Sequence, residues 1–421
     1  MSADLSVRIP RPLLAVLLAL VCAAALLVAW PEDEAPWQED DAPEAAACAG
    51  RQIESWEPEQ RVTDEFARYG NDGLLTDDWT GGDGTHSVRL PDGRVLWLFS
   101  DTFLGPVGLP PNLLGQRHHW RSAETPLLRN SAVLAAADGR LERTLPAPLF
   151  PDPAPDQWRW PVAARVEARA PGSAEQVVRV LLWTRAKSDG PWIYGVPVAT
   201  EVATLRLPDL ALEGFNRISD LSRVADPRER VQYGTTAVSH DGYTYVFGGN
   251  DGAIPDRPTA KLHVARVPEG RLGDLRAWRY WDGEDWGGKA VPVLGDGRNR
   301  GVSSAFSVVR QGDTWVLITM AAGPKGLTDV TSYWACAPQG PWYGPGKELR
   351  PPLPRDEGPA EDAAAYNPQV QEALGGGPGV VISYDVNWLS KQPAEATAAL
   401  SRNVDLYRPR FLRVQFGPAE K

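Results

Sequence analysis

The sequence predicts an all-β protein whose main domain is a five-bladed β-propeller. The 421 residues include 40 Gly, 39 Pro and 17 Trp but only 2 Met, a composition typical of strands joined by many turns. A unit of apolar strand, turn and second apolar strand recurs along the chain, with room for two outer strands in each unit. A pair of β-sandwiches is the alternative fold, but the recurrence of a whole unit favours the propeller. The units begin near Asp83, Val162, Val231, Val302 and Tyr366.

Residues 1–30 are predicted to be a signal anchor or a signal peptide. Arg8 and Arg11 precede an uncharged apolar run, residues 13–30, that reaches the lower limit for spanning a bilayer. The run ends at Trp30 and lacks the small residues of a cleavage site, which favours an uncleaved anchor. We therefore expect an extracytoplasmic protein, tethered to the cell membrane through this segment only, or secreted.

The next segment, residues 31–60, is acidic and rich in Ala and Pro, and it is predicted to be a flexible linker. The propeller is expected to span 61–418, opening with a short helix at 62–69. Outside the apolar run the chain has two cysteines, Cys48 and Cys336. In an oxidising compartment they would form a disulfide, although two free thiols are an equally open alternative.

The first unit contains a predicted β-hairpin with an aspartate at each open end, Asp83 and Asp101. A Pro-Asp-Gly turn joins its two apolar strands. If Leu90 pairs with Val95, Asp101 lies opposite Gly84 and one step from Asp83, with the two Cα atoms about 6 Å apart. Glycoside hydrolysis commonly uses two such carboxyl groups. The alternative is that each aspartate only accepts backbone N–H bonds in a turn.

Residues from different blades are expected to meet at one end of the propeller channel. Starts of first strands and ends of second strands converge there, so polar residues at these positions predict a substrate pocket. Tryptophans in nearby turns are candidate stacking platforms for sugar rings. The residues predicted to bind the substrate are Asn130, Tyr233, Asn250, Asp251, Asp385, Asn387, Trp192 and Trp388.

Other classes of function are disfavoured by the sequence. The net charge of −11 argues against a nucleic-acid partner, which needs clustered positive charge. No Ser-His-Asp order, P-loop or Cys-rich metal motif is present. His86 has no ligand spacing around it, so no obligatory metal or cofactor is predicted, although a calcium ion in the channel is left open. Arg121, Arg129 and Arg300 are interpreted as surface or backbone-capping residues, and the protein is expected to be a monomer.

Taken together with the hairpin, several short segments resemble a family of exported actinobacterial proteins long known as a domain of unknown function. The resemblance runs from about Cys48 to the C-terminus and implies a five-bladed propeller similar to glycoside hydrolase family 183. That similarity in turn implies endo-acting cleavage of arabinan, a furanose-containing cell-wall polysaccharide, by aspartates. The segments are Arg129–Ser131, Val231–Gly234, Tyr245–Gly248, Trp278–Gly283, Gly340–Trp342, Ile382–Asn387 and Tyr407–Phe411.

Carried over to this chain, the resemblance implies that Asp83 and Asp101 are the catalytic carboxyl groups. Asp83 is predicted to be the ionised base or nucleophile, and Asp101 the proton donor whose pKa is raised by its neighbour's charge. The chain departs from the expected pattern after Trp160-Pro161, where Val162-Ala163-Ala164 stands in place of an acidic residue. Glu167, the nearest acid, is displaced by roughly 10 Å along a strand.

Three hypotheses follow. The first is a glycoside hydrolase acting on a furanose-containing cell-wall polysaccharide, favoured by the intact aspartate pair. The second is a catalytically inactive glycan- or cell-wall-binding propeller, favoured by the departure in the second unit. The third is a protein-interaction propeller without a sugar site, which predicts a pocket without clustered acids and aromatic side chains.

Overall fold

The computed structural model describes residues 48–72, 77–189, 194–250, 259–296, 300–323, 326–353, 363–388 and 393–419. The predicted anchor at residues 1–30 lies outside these ranges, as does most of the predicted linker. Among the helices of the described ranges, none combines the length and the apolar character needed to cross a bilayer.

The protein is mostly β, in agreement with the predicted class, with two α-helices in the described part of the chain: α1 (Gln60–Gly70) and α2 (Pro393–Arg402). The short helix predicted at 62–69 corresponds to α1 and is confirmed. The strands are β1 (Arg51–Pro58), β2 (Trp79–Gly82), β3 (His86–Arg89), β4 (Val95–Phe99), β5 (Thr102–Leu104), β6 (Leu127–Leu128), β7 (Ser131–Ala135), β8 (Leu141–Thr144), β9 (Gln157–Ala168), β10 (Gln176–Ala186), β11 (Val196–Arg206), β12 (Leu212–Asp220), β13 (Val231–His240), β14 (Tyr243–Asn250), β15 (Leu262–Pro268), β16 (Arg279–Trp281), β17 (Trp286–Gly287), β18 (Ser307–Gln311), β19 (Thr314–Gly323), β20 (Gly326–Ala335), β21 (Ala363–Val370), β22 (Val380–Trp388) and β23 (Arg410–Pro418).

Within the described residues these strands form six antiparallel sheets. Five follow one another along the chain, in the orders β3-β4-β7-β8, β9-β10-β11-β12, β13-β14-β15-β16-β17, β18-β19-β20 and β21-β22-β23-β1. We number them the first to the fifth sheet. A sixth, small sheet, β2-β5-β6, extends from the ends of the first-sheet hairpin.

Each of the five sheets packs on the sheets before and after it, and the fifth packs on the first. Buried side chains of the first and second sheets form one apolar cluster, and similar clusters join the second to the third, the third to the fourth and the fourth to the fifth. The cluster between the first and fifth sheets also contains Phe66 of α1, whose ring stacks on Phe411 of β23. Burial of these apolar faces is the main stabilising contribution to the fold.

Strand β1 corrects the predicted extent of the linker. Residues 51–58 pair antiparallel with β23, the last strand of the chain, and Ile53 is almost fully buried. The acidic, Pro-containing composition concealed a strand whose apolar residues, Ile53 and Trp56, join the cluster between the fourth and fifth sheets. Next to this strand, Cys48 and Cys336 form a disulfide that links residues 288 positions apart.

The turn of the first hairpin differs from the prediction by one residue. The Leu90 N–H donates to the Arg94 carbonyl (2.8 Å), and Arg89 rather than Leu90 pairs with Val95. Gly93 has a φ of +89°, a conformation that residues with a side chain rarely adopt, and this conformation permits a three-residue loop. The shift moves every cross-strand partner, so Asp101 lies opposite Asp83 rather than opposite Gly84.

Candidate active site

Two glycines determine where Asp83 lies. A Cβ on Gly81 would overlap the backbone carbonyl of Tyr407, and a Cβ on Gly84 would overlap the hydroxyl of Ser100. Gly84 also has a φ of +61°, a conformation that disfavours other residues. Between them, the Asp83 N–H donates to the Asp101 carbonyl (3.0 Å), which holds the two aspartates on adjacent backbones.

The side chain of Asp83 lies between two tyrosines. The Tyr366 hydroxyl donates to Asp83 Oδ2 at 2.8 Å, and the Tyr407 hydroxyl also hydrogen-bonds to this carboxyl group. Burial raises the pKa of Asp83 well above its ordinary value, and the charges of Asp101 and Asp385 raise it further. The two hydroxyls lower the pKa, but to a smaller extent. Asp83 is therefore favoured as the protonated member of the pair.

Asp101 has a different environment. Arg129 Nη1 donates to Asp101 Oδ2 at 3.0 Å, and Trp160 Nε1 donates to Oδ1 at 2.8 Å. Burial raises the pKa of Asp101 above its ordinary value, and the Arg129 charge and both hydrogen bonds offset part of this rise. Its side chain remains 17% exposed, so a ligand can reach it. A cation and an N–H donor at hydrogen-bond distance stabilise the ionised form.

The contacts of the two aspartates favour the opposite division of roles from the one predicted from sequence. Asp101, held by a cation and an indole N–H, suits the ionised nucleophile or base. Asp83, held by hydroxyls and facing two other carboxyl groups, suits the proton donor. The sequence could not distinguish the two because Arg129 was interpreted as a surface or capping residue, and that interpretation is wrong: Arg129 pairs with Asp101.

Asp385 is not available to a substrate, although the sequence placed it among the binding residues. It is 1% exposed and accepts hydrogen bonds from the Gly84 N–H (2.7 Å), the Thr85 hydroxyl (2.9 Å) and the Asn367 amide (3.0 Å). Burial raises its pKa to about 6 against the effect of these bonds. Asp385, in the fifth sheet, therefore stabilises the turn that carries Asp83 through these hydrogen bonds.

Four other predicted binding residues are structural. Asn130 is fully buried and bonds to the backbone of Phe150, and Asn250 accepts the Lys261 N–H at 2.7 Å. Tyr233 and Trp388 lie in apolar clusters, at 5% and 8% exposure. Their burial argues against contact with a substrate, because polar or aromatic residues at strand ends also satisfy backbone groups and fill cores.

The remaining predicted binding residues divide into two groups. The Asn387 amide lies 3.5 Å from the Tyr366 hydroxyl, at the edge of the pair. Trp192 and Asp251 lie outside the described residues.

Several side chains that lie near Asp83 and Asp101 were not among the predicted site residues. They are Arg129, Trp160, Tyr194, Tyr366 and Tyr407. Tyr194 is 49% exposed, and burial followed by the charges of Asp83 and Asp101 raises its pKa, which places it near both. Tyr366 marks the predicted start of the fifth unit, and Trp160 belongs to the Trp-Pro pair of the second unit. Neither was assigned to the site for this reason. Tyr407 begins the Tyr-Arg-Pro-Arg-Phe segment near the C-terminus.

The second sheet contributes no carboxyl group from the position where the sequence departs from the expected pattern. Val162 and Ala163 are buried in the cluster between the second and third sheets. Glu167 accepts from Arg179 (3.2 Å) and from the Gly270 N–H (3.2 Å), away from Asp101.

Among the described residues, no group of three or more His, Cys, Asp or Glu side chains is arranged to hold a metal ion. Burial lowers the pKa of His86 to about 3, so this histidine is a neutral core residue. The chemistry that the described arrangement can support is proton transfer and nucleophilic attack by two carboxyl groups with aromatic neighbours.

A comparison with solved structures finds proteins whose fold is similar to that of this chain. A protein of Bacteroides ovatus ATCC 8483 provisionally described as a hydrolase is 20% identical, with a TM-score of 0.62 over 85% of this chain and 89% of that chain. An α-L-arabinofuranosidase from Podospora anserina is 14% identical, with a TM-score of 0.46 over 83% and 94%. A β-fructofuranosidase from Bombyx mori is 12% identical, with a TM-score of 0.46 over 86% and 68%. The last two are glycoside hydrolases.

No curated protein matches the sequence. A family model matches residues 65–416, which is most of the chain. The protein therefore belongs to the family described as a domain of unknown function, DUF5005.

Proposed function

We propose that the protein is a glycoside hydrolase in which Asp101 is the ionised nucleophile or base and Asp83 is the proton donor. The observation that carries this proposal is the contrast between the two opposed aspartates. One pairs with Arg129 and Trp160, while the other lies between two tyrosine hydroxyls. Environments that push the pKa values of neighbouring carboxyl groups apart are the basis of acid and base assignment in glycosidases.

A neutral polysaccharide is the substrate class that suits this site. Arg129 is the cation within reach of Asp101 in the described structure, and its charge is already balanced by that carboxylate. An anionic sugar would need cations beyond this pair. Trp160, Tyr194 and Tyr366 supply flat aromatic surfaces near the aspartates. The resemblance to glycoside hydrolase family 183 adds the expectation of a furanose-containing polysaccharide of the arabinan type.

We also propose that the described sheets are the blades of a five-bladed propeller and that the protein is exported. Five consecutive sheets, each packed on the next and the fifth on the first, support a five-bladed propeller with β1 closing the last blade. An exported actinobacterial protein, tethered by residues 1–30 or secreted and acting as a monomer on the cell wall, is the setting that the sequence supports. A disulfide across 288 residues suits an oxidising compartment.

The proposal is tested by incubating the full chain with arabinan and arabinogalactan and measuring new reducing ends. We expect the parent to release oligosaccharides, and Asp83→Asn and Asp101→Asn each to lose at least about 1,000-fold in kcat/KM. Asp313→Asn is the matched control, because the Asp313 side chain is 97% exposed and lies in the turn between β18 and β19 of the fourth sheet. Full activity in either site variant would overturn the catalytic assignment.

An inactive glycan-binding protein is the second candidate. It is favoured by one observation, the buried Val162 and Ala163 at the position where the resemblance leads to an acid. Calorimetric titration with the same polysaccharides separates the two candidates. Binding by the parent and both Asn variants, without release of reducing ends from any of them, would support this second function and reject the first.

A further inference from the structure

The loop between β5 and β6 exposes three leucines. Leu109, Leu113 and Leu114 are 74%, 81% and 65% exposed and fall within six consecutive residues. We call residues 105–120 the apolar loop; it begins four residues after Asp101. Single exposed leucines are ordinary, but several at the tip of one loop mark a surface that is covered by a partner.

The apolar loop is held in one conformation by its own hydrogen bonds. The Asn112 side-chain oxygen accepts from the N–H groups of Leu114 (2.9 Å) and Gln116 (3.0 Å). Its amide nitrogen donates to the Arg402 carbonyl (3.0 Å), and Gly108 and Trp120 exchange backbone bonds at 2.7 and 3.2 Å. The ordered loop therefore holds the three leucines in solvent. Their high exposed fractions indicate that they lie at the tip of the loop and do not line a groove.

The charge of this region differs from that of the rest of the chain. No Asp or Glu occurs between Asp101 and Glu124, in a protein with a net charge of −11. Exposed Arg117 follows the leucines, and the indole N–H of Trp120 donates to the Leu109 carbonyl at 3.2 Å. Leucines at a tip, followed by a cation and a tryptophan in a loop that itself contains no acid, match the chemistry of a lipid interface with anionic headgroups.

We propose that the apolar loop inserts Leu109, Leu113 and Leu114 into the surface of an anionic lipid bilayer. This adds a second membrane contact to a chain for which the sequence predicted contact through residues 1–30 only. A polypeptide partner is disfavoured because the leucines project from a tip instead of lining a groove. The proposal is independent of the hydrolase activity.

The test places an environment-sensitive dye on the loop of the full chain. Cys22→Ser removes the one cysteine outside the disulfide, and Leu113→Cys then carries a nitrobenzoxadiazole label. Leu275→Cys, at a leucine that is 51% exposed in the third-sheet region, is the matched control. With vesicles of phosphatidylcholine and phosphatidylglycerol, we expect a blue shift and at least twofold quenching by doxyl-labelled acyl chains at position 113, and neither at position 275.

A second variant distinguishes insertion from nonspecific adsorption. In the chain labelled at position 113, Leu109→Ser with Leu114→Ser is expected to reduce the doxyl quenching at least threefold, because two of the inserted side chains become polar. Equal quenching at positions 113 and 275, or no quenching at either, would overturn the proposal. A blue shift that appears without lipid and grows with protein concentration would also overturn it, since it would identify contact between two copies of the chain.

Discussion

At the residue scale, the site is defined by which neighbours stabilise charge on each aspartate. Asp83 and Asp101 are both buried enough for their pKa values to rise, yet Asp101 alone of the two has a cation at hydrogen-bond distance. Removal of that cation or of a hydroxyl beside Asp83 therefore changes one carboxyl group more than the other. The two limbs of the pH–rate profile report these changes separately.

Arg129→Met is expected to move the acidic limb of kcat/KM upward by about one pH unit. Without the guanidinium the pKa of Asp101 rises further, so the base is lost to protonation at a higher pH. We also expect kcat/KM at pH 7 to fall roughly 10- to 100-fold. Arg129→Lys should restore the limb in part, and Arg223→Met, at an 84% exposed side chain, should leave it unchanged.

Tyr366→Phe is expected to move the opposite limb. The hydroxyl lowers the pKa of Asp83, so its loss raises that pKa and keeps the proton donor protonated to a higher pH. The alkaline limb of kcat/KM should therefore shift upward, while Tyr343→Phe in the fourth-sheet region should not move it. An upward shift of the acidic limb instead would restore the roles predicted from sequence, with Asp83 as the base.

At the scale of elements, the irregular pairing between β2–β3 and β4–β5 brings the two aspartates together. The pairing of β3 with β4 in the first sheet stops at the two aspartates, and the pairing of β2 with β5 in the small sheet begins beyond them. Gly84 makes the break possible because its positive φ and missing Cβ leave room for Ser100. A tight backbone of this kind next to a reactive group is a common way to aim a side chain.

Gly84→Ala is expected to displace Asp83 and lower kcat/KM at least about tenfold, with a lower free energy of unfolding. Gly172→Ala is the matched control: Gly172 has a similar φ of +78°, but a Cβ there meets nothing within 4 Å. Both variants carry the cost of a left-handed alanine, about 1 kcal/mol. Equal losses of stability, with full activity in Gly84→Ala, would show that the overlap with Ser100 is relieved without moving Asp83.

Much of the first and third sheets was predictable because local patterns determine them. Alternating apolar residues and turn signals located the hairpin of the first sheet, and the recurring unit left room for the outer strands of the third, β15 and β16. The one-residue shift at Gly93 was not predictable, since two turn geometries suit the same residues. Tyr366 and Tyr407 reach Asp83 from about 280 and 320 positions away, and only the packing of the fifth sheet on the first brings them there.

Asn130, Asn250 and Asp385 illustrate a second limit of the sequence. Asn130 and Asn250 lie at strand ends, Asp385 lies within β22, and each bonds to groups within the protein. The sequence marks such positions as polar and close to the pocket. Whether the side chain turns toward the ligand or toward an unpaired backbone group depends on neighbouring strands that are distant in the chain.

At the scale of the described fold, three carboxyl groups gathered between the first and fifth sheets reduce stability at neutral pH. The pKa values of Asp83, Asp101 and Asp385 are all raised, that of Asp385 to about 6. Near pH 4 and above, the folded state binds protons that the unfolded state has released. The stabilising contribution of these groups is therefore present at low pH and is lost as the pH rises from about 4 through the folded pKa values.

Asp83→Asn is accordingly expected to abolish activity and to stabilise the protein at pH 7. The free energy of unfolding should rise by about 1–2 kcal/mol at pH 7 and by much less at pH 4, because the neutral amide resembles the protonated acid. Denaturant unfolding at both pH values measures the difference, with Asp313→Asn as the exposed control. A gain that is the same at pH 4 and pH 7 would mean that Asp83 is not held in an environment that disfavours its charge, and the assignment of Asp83 as the proton donor would fail with it.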